Sequence, residues 1–145
     1  MRTESIKFSV PGEPVPQPRQ RYRKVGNFVQ NYTPSKHPVN DYKKAIQLSV
    51  SNVFNGKPSE EPFLLEVVFI FPRPEAKCWK TKPMPRYLHQ ANKDIDNILK
   101  AVMDALNKIV WKDDKQVCKV SAIKWRAAGG EEPRTEITIK PIHVG

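Results

Sequence analysis

At 145 residues, the chain is long enough for one domain with a real hydrophobic core and too short for two of ordinary size. Its 25 Lys and Arg against 15 Asp and Glu give a formal net charge of +10, which points to an anionic partner, nucleic acid first among them. Cys78 and Cys118 form no CxxC pair, the three histidines are scattered and no apolar run reaches membrane-spanning length, so the reading is of a cytoplasmic protein with reduced thiols, no zinc site, no signal peptide and no membrane partner.

Residues 5–10 alternate apolar Ile6, Phe8 and Val10 with polar neighbours, a first strand that Pro11-Gly12 ends. The following stretch holds Pro14, Pro16 and Pro18, then Arg19, Arg21, Arg23 and Lys24, with no acid between Val15 and Asn40. Each proline blocks helix and biases its predecessor to extended backbone, so an extended basic arm is expected, with a short hairpin around residues 25–29. A helix should start at Asn40-Asp41 and run to about Phe54, with Tyr42, Ala45, Ile46, Ser49, Val50 and Val53 as its apolar stripe and Asn55-Gly56 as its stop. Residues 63–71 are apolar apart from Glu66, which suits a strand covered on both faces.

A second proline-rich connection, residues 72–93, sets Arg73, Lys77, Lys80, Lys82, Arg86 and Lys93 against the single acid Glu75. The spacing of Ile95, Ile98, Leu99, Val102, Leu106 and Ile109 predicts a helix over 96–108. Residues 116–125 alternate imperfectly as a strand, Gly129-Gly130 and Pro133 mark a turn, and residues 134–140 make a last strand. The expected fold is a single α/β (α+β) domain over residues 1–145, β-α-β-α-β-β, with a mixed sheet and a C-terminal hairpin.

Acid is scarce in this chain, yet it concentrates at Asp94, Asp96, Asp113 and Asp114. Asp94 and Asp96 stand where an extended segment enters a helix, and Lys100 shares the polar face of Asp96 one turn on. If the helix N-terminus and the start of the next strand meet at one sheet edge, three or four carboxylates converge, an arrangement that repels itself unless a divalent cation is bound. Mg²⁺ takes such hard oxygen ligands, and a divalent cation on a basic protein suggests phosphodiester chemistry. Each acid also has a plainer explanation: helix capping for Asp94 or Asp96, an i,i+4 ion-pair ladder through Asp96, Lys100 and Asp104, and a simple turn at Asp113-Asp114. Glu75-Ala76-Lys77 and Asp113-Asp114-Lys115 both fit the short acid-x-Lys string of a large nuclease superfamily, the first weakened by its prolines. Trp79, Trp111 and Trp125 could stack on bases, Trp79 best because Lys77, Lys80 and Lys82 surround it, whereas Trp125 suits the core.

The run D-I-D-N-I-L-K-A-V-M-D-A-L-N from Asp94, followed by V-W-K-D-D-K-Q-V ending at Val117, resembles the signature of RusA-type Holliday junction resolvases. The resemblance implies that Asp94, Asp96 and Asp114 bind Mg²⁺, with Lys100 as the helix lysine of a catalytic set made of these four residues. It also implies a homodimer that nicks two opposed strands of branched DNA, a four-way junction, leaving ligatable ends, in a bacterial or phage setting of recombination or repair. Asp113 receives no ligand role from it. Arg19, Arg21, Arg23, Lys24, Lys77, Lys80 and Lys82 are expected to hold phosphates away from the cut. Two other readings stay open: a nuclease for other branched or flap DNA, and a basic nucleic-acid-binding protein without catalysis.

Overall fold

In a computed structural model that describes residues 4–18, 37–91 and 93–143, and the backbone of residues 21–25 and 28–32, the alternating first segment forms β1 (Ile6–Pro11). Ile6, Phe8 and Val10 are buried on one face while Lys7 and Ser9 stay exposed. Gly12 then takes φ +102°, a left-handed turn open to glycine, and its N–H donates to the Pro133 carbonyl at 3.2 Å. The basic arm folds back as β2 (Arg21–Val25) antiparallel to β3 (Phe28–Tyr32), a hairpin where the sequence placed one.

α1 (Pro38–Ser51) begins two residues earlier than expected. His37 supplies the cap, its Nδ1 accepting from the Val39 N–H at 3.1 Å, and Pro38 fits the first helical turn, where its missing N–H is no loss. Val39, Tyr42, Ile46 and Val50 are buried, but Val53 lies past the helix end and is exposed. β4 (Phe63–Phe71) is followed by the short strand β5 (Tyr87–Leu88), then α2 (Ile95–Leu106), β6 (Val117–Arg126) and β7 (Arg134–Pro141).

The sheet order is β1-β7-β4-β6-β5. β4 and β6 run parallel, and the other neighbours are antiparallel, so the sheet is mixed as expected. The C-terminal hairpin is not formed: β6 and β7 each pair with β4, which lies between them. β4 is the most apolar strand, with Phe63, Leu65, Phe69, Ile70 and Phe71 fully buried, so the centre of the sheet is its place and the strands after it must flank it. Residues 127–133 cross over the end of β4 instead of turning tightly back.

Both helices contribute to one core with the buried faces of β1, β4 and β7. Ile98, Ala101, Val102, Ala105 and Leu106 give α2 its buried face, while Ile95, expected inside, is 36% exposed. Burial of each large aliphatic side chain here contributes about 1.5–3 kcal/mol. Tyr42 ties α1 to β7 through a 2.6 Å hydrogen bond between its hydroxyl and Thr135 Oγ1, and burial pushes its phenol well above the ordinary range. No helix among the described residues is long and apolar enough to cross a membrane.

Candidate active site

α2 presents its first two acids to solvent. Asp94 occupies the N-cap position in extended backbone, yet its side chain makes no capping hydrogen bond. Asp96 lies in the first turn, and both carboxylates are exposed at the positive end of the helix dipole. Lys100 is exposed one turn further on. None of the three makes an ion pair with a described residue. The i,i+4 ladder is therefore absent, and Asp104 turns to Lys43 of α1, 3.7 Å away. Among the described residues, capping and ion pairing thus account for neither acid.

This end of α2 is fixed by its surroundings. The Gln17 N–H donates to the Asn97 carbonyl at 2.9 Å, Lys124 Nζ donates to the Lys93 carbonyl, and the His89 N–H donates to the Lys124 carbonyl at 3.1 Å. His89 is buried edge-on against Phe71, and desolvation, helped by the charges of Arg126, Lys124 and Lys93, lowers its pKa to about 4. A neutral imidazole next to Lys93, Lys124 and Arg126 offsets none of their charge, so this end of the sheet is positive.

At the other end of α2, Lys108 adopts φ 67° and its N–H donates to the Trp111 carbonyl at 2.7 Å, reversing the chain. Trp111 is fully buried against Phe63 (ring centroids 5.8 Å apart), so it anchors the turn and cannot stack on a base. Gln116 clamps the same turn: its Nε2 donates to the carbonyls of Ser59 and Glu61 at 2.8 Å each, and its Oε1 accepts from the N–H groups of Lys112 and Asp113 at 3.0 Å. Asp113 caps a short 3-10 turn, Asp114–Gln116, by accepting from the Lys115 N–H at 2.9 Å. That bond holds Asp113 below its ordinary pKa, with help from its hydrogen bond to Asp114 and from Lys115 and Lys108.

Asp114 has the opposite surroundings. Desolvation raises its pKa, and the hydrogen bond and charge of Asp113, with the charge of Asp104, push the same way. The tryptophan, the two aspartates and the glutamine thus divide the work of one turn, and Asp114 is the carboxylate whose ionisation its surroundings oppose.

The two acidic groups do not converge within the chain. α2 is the crossover between parallel β4 and β6, so it runs antiparallel to them. Its N-terminus lies by the far end of β6, near Lys124, whereas Asp114 immediately precedes the start of β6. Twelve helical residues separate the groups by about 18 Å. Among the described residues, no group of three or more His, Cys, Asp and Glu side chains is placed to hold a metal ion. The donor chemistry nonetheless suits Mg²⁺, which binds through one or two carboxylates and keeps several waters, and Asp94 with Asp96 supply that number.

Of the expected phosphate contacts, Arg19 lies outside the described residues, as do the side chains of Arg21, Arg23 and Lys24 on β2. Lys77, Lys80 and Lys82 are exposed and make no ion pair with a described residue. Trp79 is exposed beside them, and Trp125 on β6 is half-buried. The sequence assigns Arg73 no role beyond its charge and Tyr87 none, though the Arg73 guanidinium lies against the rings of both Trp79 and Tyr87, because β5 is only two residues long and its proline-rich approach reads as loop.

The sequence profile of a family described as Endodeoxyribonuclease RusA matches residues 11–140. A Bacillus subtilis (strain 168) protein, described as "Uncharacterized protein YqaN", is 33% identical over 144 residues, covering 96% of this chain and 98% of its own.

Proposed function

The chain belongs to the RusA endodeoxyribonuclease family, and on that premise we propose that it is a Mg²⁺-dependent homodimeric resolvase that nicks opposed strands of four-way DNA junctions in recombination or repair. The observation that carries this reading is the pair Asp94 and Asp96: exposed, making no capping bond and no ion pair among the described residues, and one turn from Lys100. Exposed acids that no described residue neutralises, in so basic a protein, are best explained by a cation that arrives with the substrate.

Asp94 and Asp96 would hold Mg²⁺, with Asp114 as the third carboxylate. When bound, the ion supplies Lewis acidity toward a phosphoryl oxygen and a water of lowered pKa. Lys100, on the same helix face, contributes a positive charge where negative charge develops on the phosphoryl oxygens. The charge of Lys93, Lys124 and Arg126 draws the backbone towards this end of α2.

Asp114 lies at the wrong end of α2 to serve its own chain, so a second copy is needed to supply it. The free edge supports such a pairing. β5 covers β6 only at Trp125 and Arg126, leaving residues 117–124 without a strand partner on that side among the described residues. Val120 on β6 is 42% exposed, and Ile95, Leu99 and Met103 form a partly covered stripe along α2. Under a two-fold axis this surface meets itself antiparallel, which brings Asp94 and Asp96 of each subunit to Asp114 of the other.

The test is cleavage of a synthetic four-way junction, a three-way junction and linear duplex with and without Mg²⁺. Symmetric Mg²⁺-dependent nicks confined to the four-way junction, and lost in Asp94→Asn, are expected. Equal cutting of linear duplex removes the resolvase reading, cutting of three-way DNA favours the wider branched-DNA nuclease, and binding without any cutting favours the non-catalytic one.

A further inference from the structure

Residues 72–86 leave the end of β4 with little regular structure, yet they are pinned at several points. Arg73 donates from Nε to the Lys77 carbonyl (2.6 Å) and from Nη1 to the carbonyls of Pro85 (2.8 Å) and Ala127 (3.3 Å). The Gly129 N–H donates to the Met84 carbonyl at 2.8 Å, and a Cβ at position 129 would come within 2.4 Å of the Met84 methyl carbon, so glycine permits the approach. Arg86 grips Glu131 with contacts of 2.6–3.0 Å, and Arg134 adds a second cation to the same carboxylate at 3.2 Å. The segment is held as a ledge, tied at Arg73, Met84 and Arg86, at the same sheet end as Asp94 and Asp96.

On this ledge the Arg73 guanidinium lies between two rings, its Cζ 5.1 Å from the centroid of Trp79 and 5.3 Å from that of Tyr87. Its N–H groups at Nε and Nη1 are taken by carbonyls, so Arg73 acts as a spacer that orients the rings more than as a phosphate contact. Trp79 is left 37% exposed, with Lys82 Nζ 5.6 Å from its centroid. Lys77, Lys80 and Lys82 have no ion pair among the described residues, whereas Arg86 is consumed by Glu131. The basic residues of 72–86 thus divide into Arg73 and Arg86, which build the ledge, and Lys77, Lys80 and Lys82, which are exposed within three positions of Trp79, Lys82 over its ring.

We propose that Trp79, oriented by Arg73 and Tyr87, is a stacking platform for a displaced DNA base, with Lys77, Lys80 and Lys82 on the phosphates either side of it. An aromatic face takes any base, because every base has a π face, and flanking lysines without carboxylate partners give the electrostatic funnel such sites need. Lys82 can leave the indole for a phosphate when a base takes its place. The position fits: Tyr87 pairs with Arg126, and the Lys93 carbonyl is held by Lys124 two residues back along β6, about 7 Å away. A base on Trp79 would therefore be within a few nucleotides of a phosphate at Asp94. The inference rests on the junction reading for where the displaced base comes from.

Its test is binding of the full chain, in EDTA, to a four-way junction and to a single-stranded oligothymidine, with melting temperature measured for each variant. Trp79→Ala should weaken both affinities about tenfold and Trp79→Phe less than about threefold, with the salt dependence unchanged. The triple change Lys77→Ala, Lys80→Ala and Lys82→Ala should instead flatten the salt dependence. Wild-type affinity of Trp79→Ala for both DNAs overturns the platform, as does equal weakening by Phe and Ala. If the protein fails to cleave junctions but Trp79→Ala still loses single-strand affinity, the junction reading falls and the platform stands. Junction cleavage with no effect of Trp79→Ala on binding overturns the platform alone.

Discussion

The two ends of α2 carry the same kind of residue in opposite states. At the N-terminal end, Asp94 and Asp96 are exposed, make no ion pair with a described residue and meet the positive end of the helix dipole. At the C-terminal end, Asp114 is partly desolvated, pushed up in pKa by Asp113 and Asp104, and held in a turn whose every neighbour is committed to a hydrogen bond or to the core. The contrast separates an exposed pair of carboxylates that no described residue engages from one that the fold has stiffened in place. A metal site needs both qualities, ready ligands and a fixed one, and one chain does not bring them together.

The largest effect should come from breaking that separation in two ways at once. Asp96→Asn and Asp114→Asn should each lower junction cleavage by about a thousandfold or more, while junction binding persists. Mixing the two inactive variants should then restore nicking, because a heterodimer regains one intact site from Asp96 of one subunit and Asp114 of the other. The restored activity should be a single nick, measured on a junction labelled in both opposed strands. No restoration on mixing would mean that the carboxylates act within one chain or that Asp114 is not among them. Next in size, Lys100→Ala should lower the cleavage rate about a hundredfold and leave binding within a few-fold, as a group acting on developing charge does. A matching loss of binding would make Lys100 an ordinary phosphate contact.

Much of this was legible in the residues. The strand over residues 63–71 is reproduced to the residue, and the alternating Ile6, Phe8 and Val10 and the four-residue spacing of Ile98, Val102 and Leu106 name their buried faces. The hairpin of the last two strands was illegible because alternation tells which face a strand buries, not which neighbour it pairs with. The deciding fact, the mostly apolar β4 claiming the centre, is a competition between strands. Asp94 and Asp96 were legible as a pair from their place at a helix start. Their distance from Asp114 was also within reach, since a helix joining parallel strands must run back along them. The arm at Arg21, Arg23 and Lys24 was legible as basic and extended. The partnership of Arg73, Trp79 and Tyr87 was not, since nothing local links position 73 to 87.

The stiffened end can be loosened without touching any acid. Gln116→Ala removes four hydrogen bonds at once; the Lys112 N–H keeps its 3.2 Å bond to the Ser59 carbonyl, but the Asp113 N–H loses its acceptor and the turn loses its tie to residues 59–61. A loss of about 2 kcal/mol is expected in denaturant unfolding, since the freed groups are partly reached by water. Cleavage should fall with it even at temperatures where the variant is folded, because Asp114 loses its fixed position. Full activity in a destabilised Gln116→Ala would show that the turn serves stability alone.

The smallest expected effect tests the electrostatic half of the contrast, and its sign follows from linkage. The Asp114 carboxyl lies above its ordinary value of 3.8 in the folded protein, chiefly by desolvation and then by Asp113 and Asp104. The native state therefore holds this proton more tightly than the unfolded chain does. The stability this provides is fully present below the ordinary carboxyl pKa and is lost as pH rises through the raised one, so at neutral pH the ionised Asp114 works against folding. Asp114→Asn should melt slightly higher than wild type at pH 7, by less than about 1 kcal/mol because the group is only half-buried, and the gain should vanish in acid. Asp94→Asn should show no such gain, since Asp94 is exposed at the favourable end of the helix dipole. Mg²⁺ should narrow the difference between Asp114→Asn and wild type at neutral pH by stabilising wild type, and only at protein concentrations where a second copy is bound. An equal response to Mg²⁺ in dilute and concentrated protein would place the cation on Asp94 and Asp96 alone and remove Asp114 from the site.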